Sequence, residues 1–348
     1  MADIAHFIKE MPKAELHVHI EGAIAPELLF EIAQRNGVPL PYKNADDILE
    51  GQNQGKDNPK QNLDSFIECL DISRGALRTG LDYRDIAYGH LKRCQSENII
   101  YTEIMFDPQQ GVRQGVALEA IIEGLLEGSA VGRADFGVEV QWIMCFQRDH
   151  PAEEALHILK NARPYKDQII GVGLDNPELP GFVHIFEPIM VAAREKGYRL
   201  CSHCDVNIPN SVEHIRGCLN LLGVERIDHG LNALEDEALV AQLLERNIPL
   251  TACPTRYAFQ AEVAPSRLEM MAELLERGIC ISLNSDDPAQ FGSGWLAQTL
   301  IEAQRAGSLP QESMIKFMRN AFLTAWISEG HRKTLLQSSD DYCSQNRA

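Results

Sequence analysis

The chain has 348 residues, 45% of them hydrophobic and 24% charged, with 50 acidic against 32 basic side chains and a net charge of −18. These are globular values for one large domain or two smaller ones, and they are enough for a core that needs no disulfides. The acidic excess excludes a nucleic-acid backbone or an anionic membrane surface as a partner.

The opening residues Met1–Phe7 lack a basic stretch followed by an apolar one, so no secretory signal is expected. No run of about 18 apolar residues is present to span a bilayer. Nine cysteines, an odd number, lie in apolar segments such as WIMCF and GICISL and read as reduced core thiols. A soluble, cytoplasmic protein is expected.

In chain order, short Val/Ile/Leu-rich runs predict strands over 14–20, 99–106, 138–146, 169–175, 198–204, 226–230, 248–253 and 279–285. Amphipathic stretches between them, among them PELLFEIAQRNG, FEPIMVAAREKG and DEALVAQLLERN, predict helices. Several of these end in Gly or Asn, a common helix stop. The strands are apolar nearly throughout, as parallel strands covered by helices are. Eight strands each followed by a helix make a (β/α)8 barrel the expected fold, with a doubly wound open sheet as the alternative. No G-x-G-x-x-G opens a helix, and GVGLDN has the wrong third position.

One catalytic domain over 1–348 is expected, with its barrel core over about 11–330. The polar segment 41–64 reads as an exposed excursion or lid, and residues 337–348 as a solvated tail.

In a (β/α)8 barrel the chemistry sits at the C-terminal ends of the strands. The first predicted strand ends in His17-Val18-His19, whose imidazoles share one face at period two and could bind one metal. The fifth ends near His203, the sixth in Asp228-His229-Gly230, and the eighth in Asn284-Ser285-Asp286-Asp287. Each feature alone is ordinary, since an Asp-Asp-Pro commonly caps a helix or makes a turn. Four strands ending in His or Asp at the same end point to metal chemistry. Cys201-x-x-Cys204 is not read as a dithiol, because it ends a strand and alternation turns the two sulfurs apart.

The segments PKAELHVHIEGAI, the His at the fifth strand end, VERIDHGLNALED, IPLTACP and ISLNSDDPAQF resemble, in order and spacing, the adenosine/adenine deaminase family over about residues 11–330. These are zinc barrels of the amidohydrolase superfamily. The resemblance implies one Zn2+ per subunit on His17, His19, His203 and Asp286, with a water in the open position. It implies that His229 orients and helps deprotonate that water and that Asp287 hydrogen-bonds a ring nitrogen. Asp286 thus counts among the catalytic residues, and Glu21, Gly173 and Asn207 join Asp287 as substrate contacts. The implied reaction is hydrolytic release of ammonia from an adenine-like or N6-substituted purine. Glu21 in His19-Ile20-Glu21-Gly22 matches the members acting on free bases; alternatively it caps the following helix. A homo-oligomer is compatible with the sequence.

The chain departs from the family at two places. Its H-A-G-E acid has no counterpart, since Val206 stands three residues past His203. Asp205 is the best remaining proton donor; Asn207 can hydrogen-bond but transfers no proton, and Glu213 and His214 fall on the next helix. Where the family keeps small polar groups, Arg256 and Tyr257 stand. If they face the site, the substrate carries an anionic or larger substituent; if they face a subunit interface or the next helix, they say nothing of substrate. The alternatives are a zinc amidohydrolase acting on another heterocycle or C–N bond, and a non-catalytic purine-binding homologue. The pairing of H-x-E with a downstream P-C-x-x-C that marks polynucleotide deaminases is absent, since no P-C-x-x-C occurs.

Overall fold

A computed structural model describes residues 4–48, 63–204, 210–254, 264–290 and 294–346. Eight parallel strands follow one another around a barrel in sequence order: β1 (Lys13–His19), β2 (Ile99–Phe106), β3 (Glu139–Gln147), β4 (Ile169–Asp175), β5 (Arg199–Cys204), β6 (Arg226–His229), β7 (Leu250–Ala252) and β8 (Ile281–Leu283). This is the expected (β/α)8 architecture, not an open doubly wound sheet. Helices lie between the strands and cover the outer face. Leucine, isoleucine and valine from both layers form the main core, Leu16, Val18, Ile104 and Val172 among them. Left-handed residues Gly37, Gly137 and Asn247 end three of the helices, as the Gly/Asn stops predict.

Two joints in the barrel matter for the site. β4 and β5 are in register only at Gly171↔Arg199 and Val172↔Leu200. Nearer the mouth their ends are tied by the buried Arg148, which donates to the carbonyls of Asp175 (2.8 Å), Asn176 and His203 (2.6 Å). β8 and β1 meet at a single bridge, Val18↔Asp286. There the Asp286 N–H donates to the His17 carbonyl at 3.1 Å, and the His19 N–H donates to the Asp286 carbonyl at 2.9 Å. Side chains finish the seam: Asn284 Oδ1 accepts from Leu16 N at 2.8 Å, and Glu15 accepts from both the N–H and the hydroxyl of Ser285.

The floor of the barrel is ionic. Arg226, fully buried, donates to Glu103 at 2.6 Å and lies 4.0 Å from the Trp326 ring centroid. Below it, the Lys13 ammonium donates to the carbonyls of Lys9, Met11 and Glu97 at 2.7–2.8 Å, which satisfies helix-end acceptors.

The C-terminal segment differs from the expected solvated tail. Helix Glu329–Gln345 runs through it and buries Leu335, Ser339 and Cys343, spaced every four residues, while Tyr342 stacks on Phe7 with ring centroids 5.4 Å apart. A serine and a cysteine on the buried stripe, among charged neighbours, hid its amphipathic pattern. The expected lid over 41–64 falls largely on 49–62, outside the described residues. No described helix is long and apolar enough to cross a membrane.

Candidate metal centre

Strand alternation decides which side chains enter the barrel. In β1, Ala14, Leu16 and Val18 pack outward into the main core, whereas Glu15, His17 and His19 point inward. In β5, Cys201 faces in, beside Cys145 of β3, while Cys204 faces out, 3.7 Å from Cys218. The two thiols therefore diverge, and none of the nine cysteines is in a disulfide.

His17, His19, His203 and Asp286 converge at the mouth, all buried, with their ligand atoms within 4.8 Å of one another. His19 Nε2 lies 3.0 Å from His203 Nε2, His17 Nε2 lies 3.2 Å from Asp286 Oδ1, and His19 Nε2 lies 3.6 Å from the same oxygen. Ligands bonded at 2.0–2.1 Å to a tetrahedral ion stand about 3.3 Å apart, so these spacings fit one Zn2+-sized cation.

The opposite ring nitrogens fix the tautomers. His203 Nδ1 faces the Leu174 carbonyl at 3.1 Å, and His17 Nδ1 faces the Thr251 carbonyl at 3.3 Å and its hydroxyl oxygen at 3.1 Å. A carbonyl only accepts, so Nδ1 carries the proton and Nε2 turns a lone pair toward the cluster. Among the described residues, His17 Nε2 finds no hydrogen-bond donor, which suits a cation there.

Charge follows the same plan at two of the three imidazoles. Burial lowers His19 to about 4, and burial together with His17, His19 and His229 holds His203 well below the usual imidazole range. Burial also opposes charge on His17, but Asp286 and Asp228 outweigh it and raise its pKa. Neutral imidazoles are the form that binds metal.

His229 ends β6 with its ring centroid 4.8 Å from that of His17 and its Nε2 3.7 Å from Asp286 Oδ2. His229 and Asp286 both adopt positive φ, 65° in each case, which is uncommon for residues with a side chain and clusters at functional sites. Asp287 is buried beside Gly22. A Cβ on Gly22 would lie 1.8 Å from Asp287 Oδ1, so only glycine lets the carboxylate take this place.

Glu21 is buried in a 3₁₀ turn, and its Oε1 accepts from Asp107 N at 3.0 Å. It does not cap the helix Pro26–Asn36, which has no side-chain cap. Burial and the nearby Asp107 raise its pKa to about 8. Gly173 lies one layer beneath the mouth, where a Cβ would meet the sulfurs of Cys145 and Cys201 at 2.6 and 3.1 Å. Its side-chain space is thus filled by those thiols, and the structure makes it a packing position. His214 sits on the helix Ser211–Gly217 with Nδ1 2.7 Å from Glu178. Asp205, Val206, Asn207, Arg256 and Tyr257 lie outside the described residues.

Sequence reasoning missed the residues that support the cluster. Thr251, Asp228, Arg148 and the buried Arg74–Asp107 pair all touch residues at the mouth. Asp228 and Thr251 were visible in IDHG and LTAC, but only contact shows what they orient.

A parallel eight-stranded barrel with three imidazoles and a carboxylate converging at the strand ends defines a metal-dependent hydrolase of the amidohydrolase kind. The chain belongs to the adenosine deaminase family, whose model matches residues 12–342. It is thereby a hydrolase acting on C–N bonds of cyclic amidines. An uncharacterized deaminase of Schizosaccharomyces pombe is 37% identical over 346 residues, 99% of each chain. The adenine deaminase of Wolinella succinogenes is 35% identical over 94% of this chain and 97% of its own. Among solved structures, adenine deaminase from Arthrobacter aurescens superposes with a TM-score of 0.88 at 31% identity, covering 96% of this chain and 99% of that one.

Proposed function

We propose that the protein is a zinc-dependent deaminase of an adenine-like or N6-substituted purine, with the free base favoured over the nucleoside. The convergence of His17, His19, His203 and Asp286 beside His229 and Asp287 carries this reading. Three imidazoles and one carboxylate form the N/O donor set that zinc takes in hydrolytic sites. A zinc ion held there would supply Lewis-acid activation, lowering the pKa of bound water to about 7.

The chain's own residues would do the rest. His229, through Nε2, stands where it can accept a proton from water at the cluster and pass it on. Asp287, held against Gly22, would hydrogen-bond a ring nitrogen and fix the heterocycle. Glu21 supports the free base, because its buried carboxyl fills part of the mouth beside β2. The adenine deaminases among the relatives point the same way. Asp205 would donate the proton to the ring in place of the absent family glutamate.

The test is ammonia release by zinc-loaded protein from adenine, adenosine, N6-substituted adenines, AMP, guanine and pterins, with a metal-stripped control. Zinc-dependent release from a free purine base is expected, and Asp205→Asn should lower kcat about 10²-fold at constant zinc content. Silence across the panel from protein with stoichiometric zinc would remove the deaminase assignment. In that case Val206 would mark hydrolysis of a different heterocycle or C–N bond.

A further inference from the structure

The mouth of the barrel has two unlike halves. The candidate metal ligands occupy the ends of β1, β5 and β8, with His229 at the end of β6. The ends of β2, β3 and β4 carry Asp107, Gln147 and Asp175 instead. Alternation sends all three inward. Met105, Cys145 and Gly173, two residues earlier in each strand, lie in the interior layer below, where Met105 and Cys145 cluster with Cys201 and Gly173 packs on the Cys145 and Cys201 sulfurs. Gln147 and Asp175 are register partners, so their side chains are neighbours on that face. Asp175 reaches the metal half, with Oδ2 3.8 Å from His19 Nδ1.

This second half is buried, and polar atoms there, acceptors and the Gln109 Nε2 donor alike, lack partners among the described residues. Among the described residues, Gln147, 1% exposed, has no partner for its Oε1, and Glu21 has none for its Oε2. Arg74 is committed to Asp107 and anchors that carboxylate from the helix Leu63–Ala76. A buried acceptor without a donor costs roughly 1–3 kcal/mol, so several together mark a place that water or a polar ligand completes.

We propose that Gln147, flanked by Asp175 and Glu21, supplies through its Oε1 a hydrogen-bond acceptor that selects heterocycles bearing an extra N–H donor on an edge remote from the reacting carbon. The inference rests on the purine reading above and narrows it to amino-substituted rings. Arg74 is a positioning residue here, holding Asp107 against Glu21 and Asp175. A ligand N–H group completes acceptors that an unsubstituted ring leaves bare, and each such bond is worth about tenfold in affinity.

The test uses purines that lack the leaving amine, so that it is independent of turnover. Binding of 2-aminopurine and 8-aminopurine to zinc-loaded protein is measured against purine itself, by 2-aminopurine fluorescence and by competition. At least one amino isomer should bind tenfold or more tightly than purine. Gln147→Leu, which removes an oxygen that has no partner among the described residues, should erase most of that gain. Gln147→Glu, which keeps an acceptor, should retain it. Zinc content in each variant verifies an intact mouth. Equal binding of all three purines, or a gain that survives Gln147→Leu, overturns the subsite while leaving the deaminase reading intact. Purine binding without ammonia release from any aminated substrate would overturn the deaminase reading and not the subsite.

Discussion

The Thr251 hydroxyl donates to Asp228 Oδ1 at 2.7 Å, and its oxygen stands 3.1 Å from His17 Nδ1. One threonine thus links a buried carboxylate to an imidazole of the candidate metal centre. Asp228 is held from the other side by Arg226, whose Nε lies 3.5 Å from the same oxygen. Outer partners of this kind typically contribute 10–100-fold to metal affinity. Thr251→Val keeps the β-branched shape of a strand residue but breaks the link, so zinc affinity should fall within that range, measured against a chromophoric chelator. Unchanged affinity would mean that the Thr251 carbonyl alone orients His17.

Gly22 and Asp287 make a second prediction. A methyl group at residue 22 would overlap the Asp287 carboxylate, at 1.8 Å from Oδ1. Gly22→Ala should therefore displace Asp287 while leaving His17, His19 and His203 in place. A misplacement of about 1 Å in a positioning group costs on the order of 10² in rate. The expected result is kcat/KM lowered about 100-fold with zinc still bound. Loss of zinc together with activity would show that the shift had carried Asp286 with it.

Acid should weaken the fold through His90. This imidazole is buried on the helix Gly80–Ser96, near Cys94 and Trp295, with Nδ1 unpartnered. Burial, helped by Arg93, lowers its pKa to about 4 from 6.5. Between those values the unfolded chain binds the proton and the folded chain does not, so stability falls as pH drops from 6.5 toward 4. The loss reaches about 2 kcal/mol at pH 5. His90→Leu removes it: relative to the parent, the variant should gain stability on going from pH 7.5 to pH 5 in urea titrations. A parallel fall of both proteins would assign the acid sensitivity to other groups.

The parts of this architecture that follow from periodicity were legible in the chain. Every expected strand is present, because parallel strands covered on both faces must be apolar throughout. The convergence of His17, His19, His203 and Asp286 was legible because strand ends in a barrel share one mouth. Hidden were the residues that act through distant partners. Arg148 reads as an ordinary charge in FQRDH, yet it joins β4 to β5. That Gly173 also makes room for two sulfurs was not legible either. The helix over the last residues was masked because a buried serine and cysteine carry little hydrophobic signal.

The seam between β8 and β1 has a consequence for biosynthesis. Asp286 sits between His17 and His19 in a backbone ladder that joins opposite ends of the chain, and the neighbouring Leu16–Asn284 bond spans 268 positions. Contacts this remote form late in folding and only after most of the chain has been made. A nascent chain that has not yet produced β8 holds three imidazoles but lacks the carboxylate that completes their set. A chain stopped short of residue 286 cannot assemble the cluster of His17, His19, His203 and Asp286.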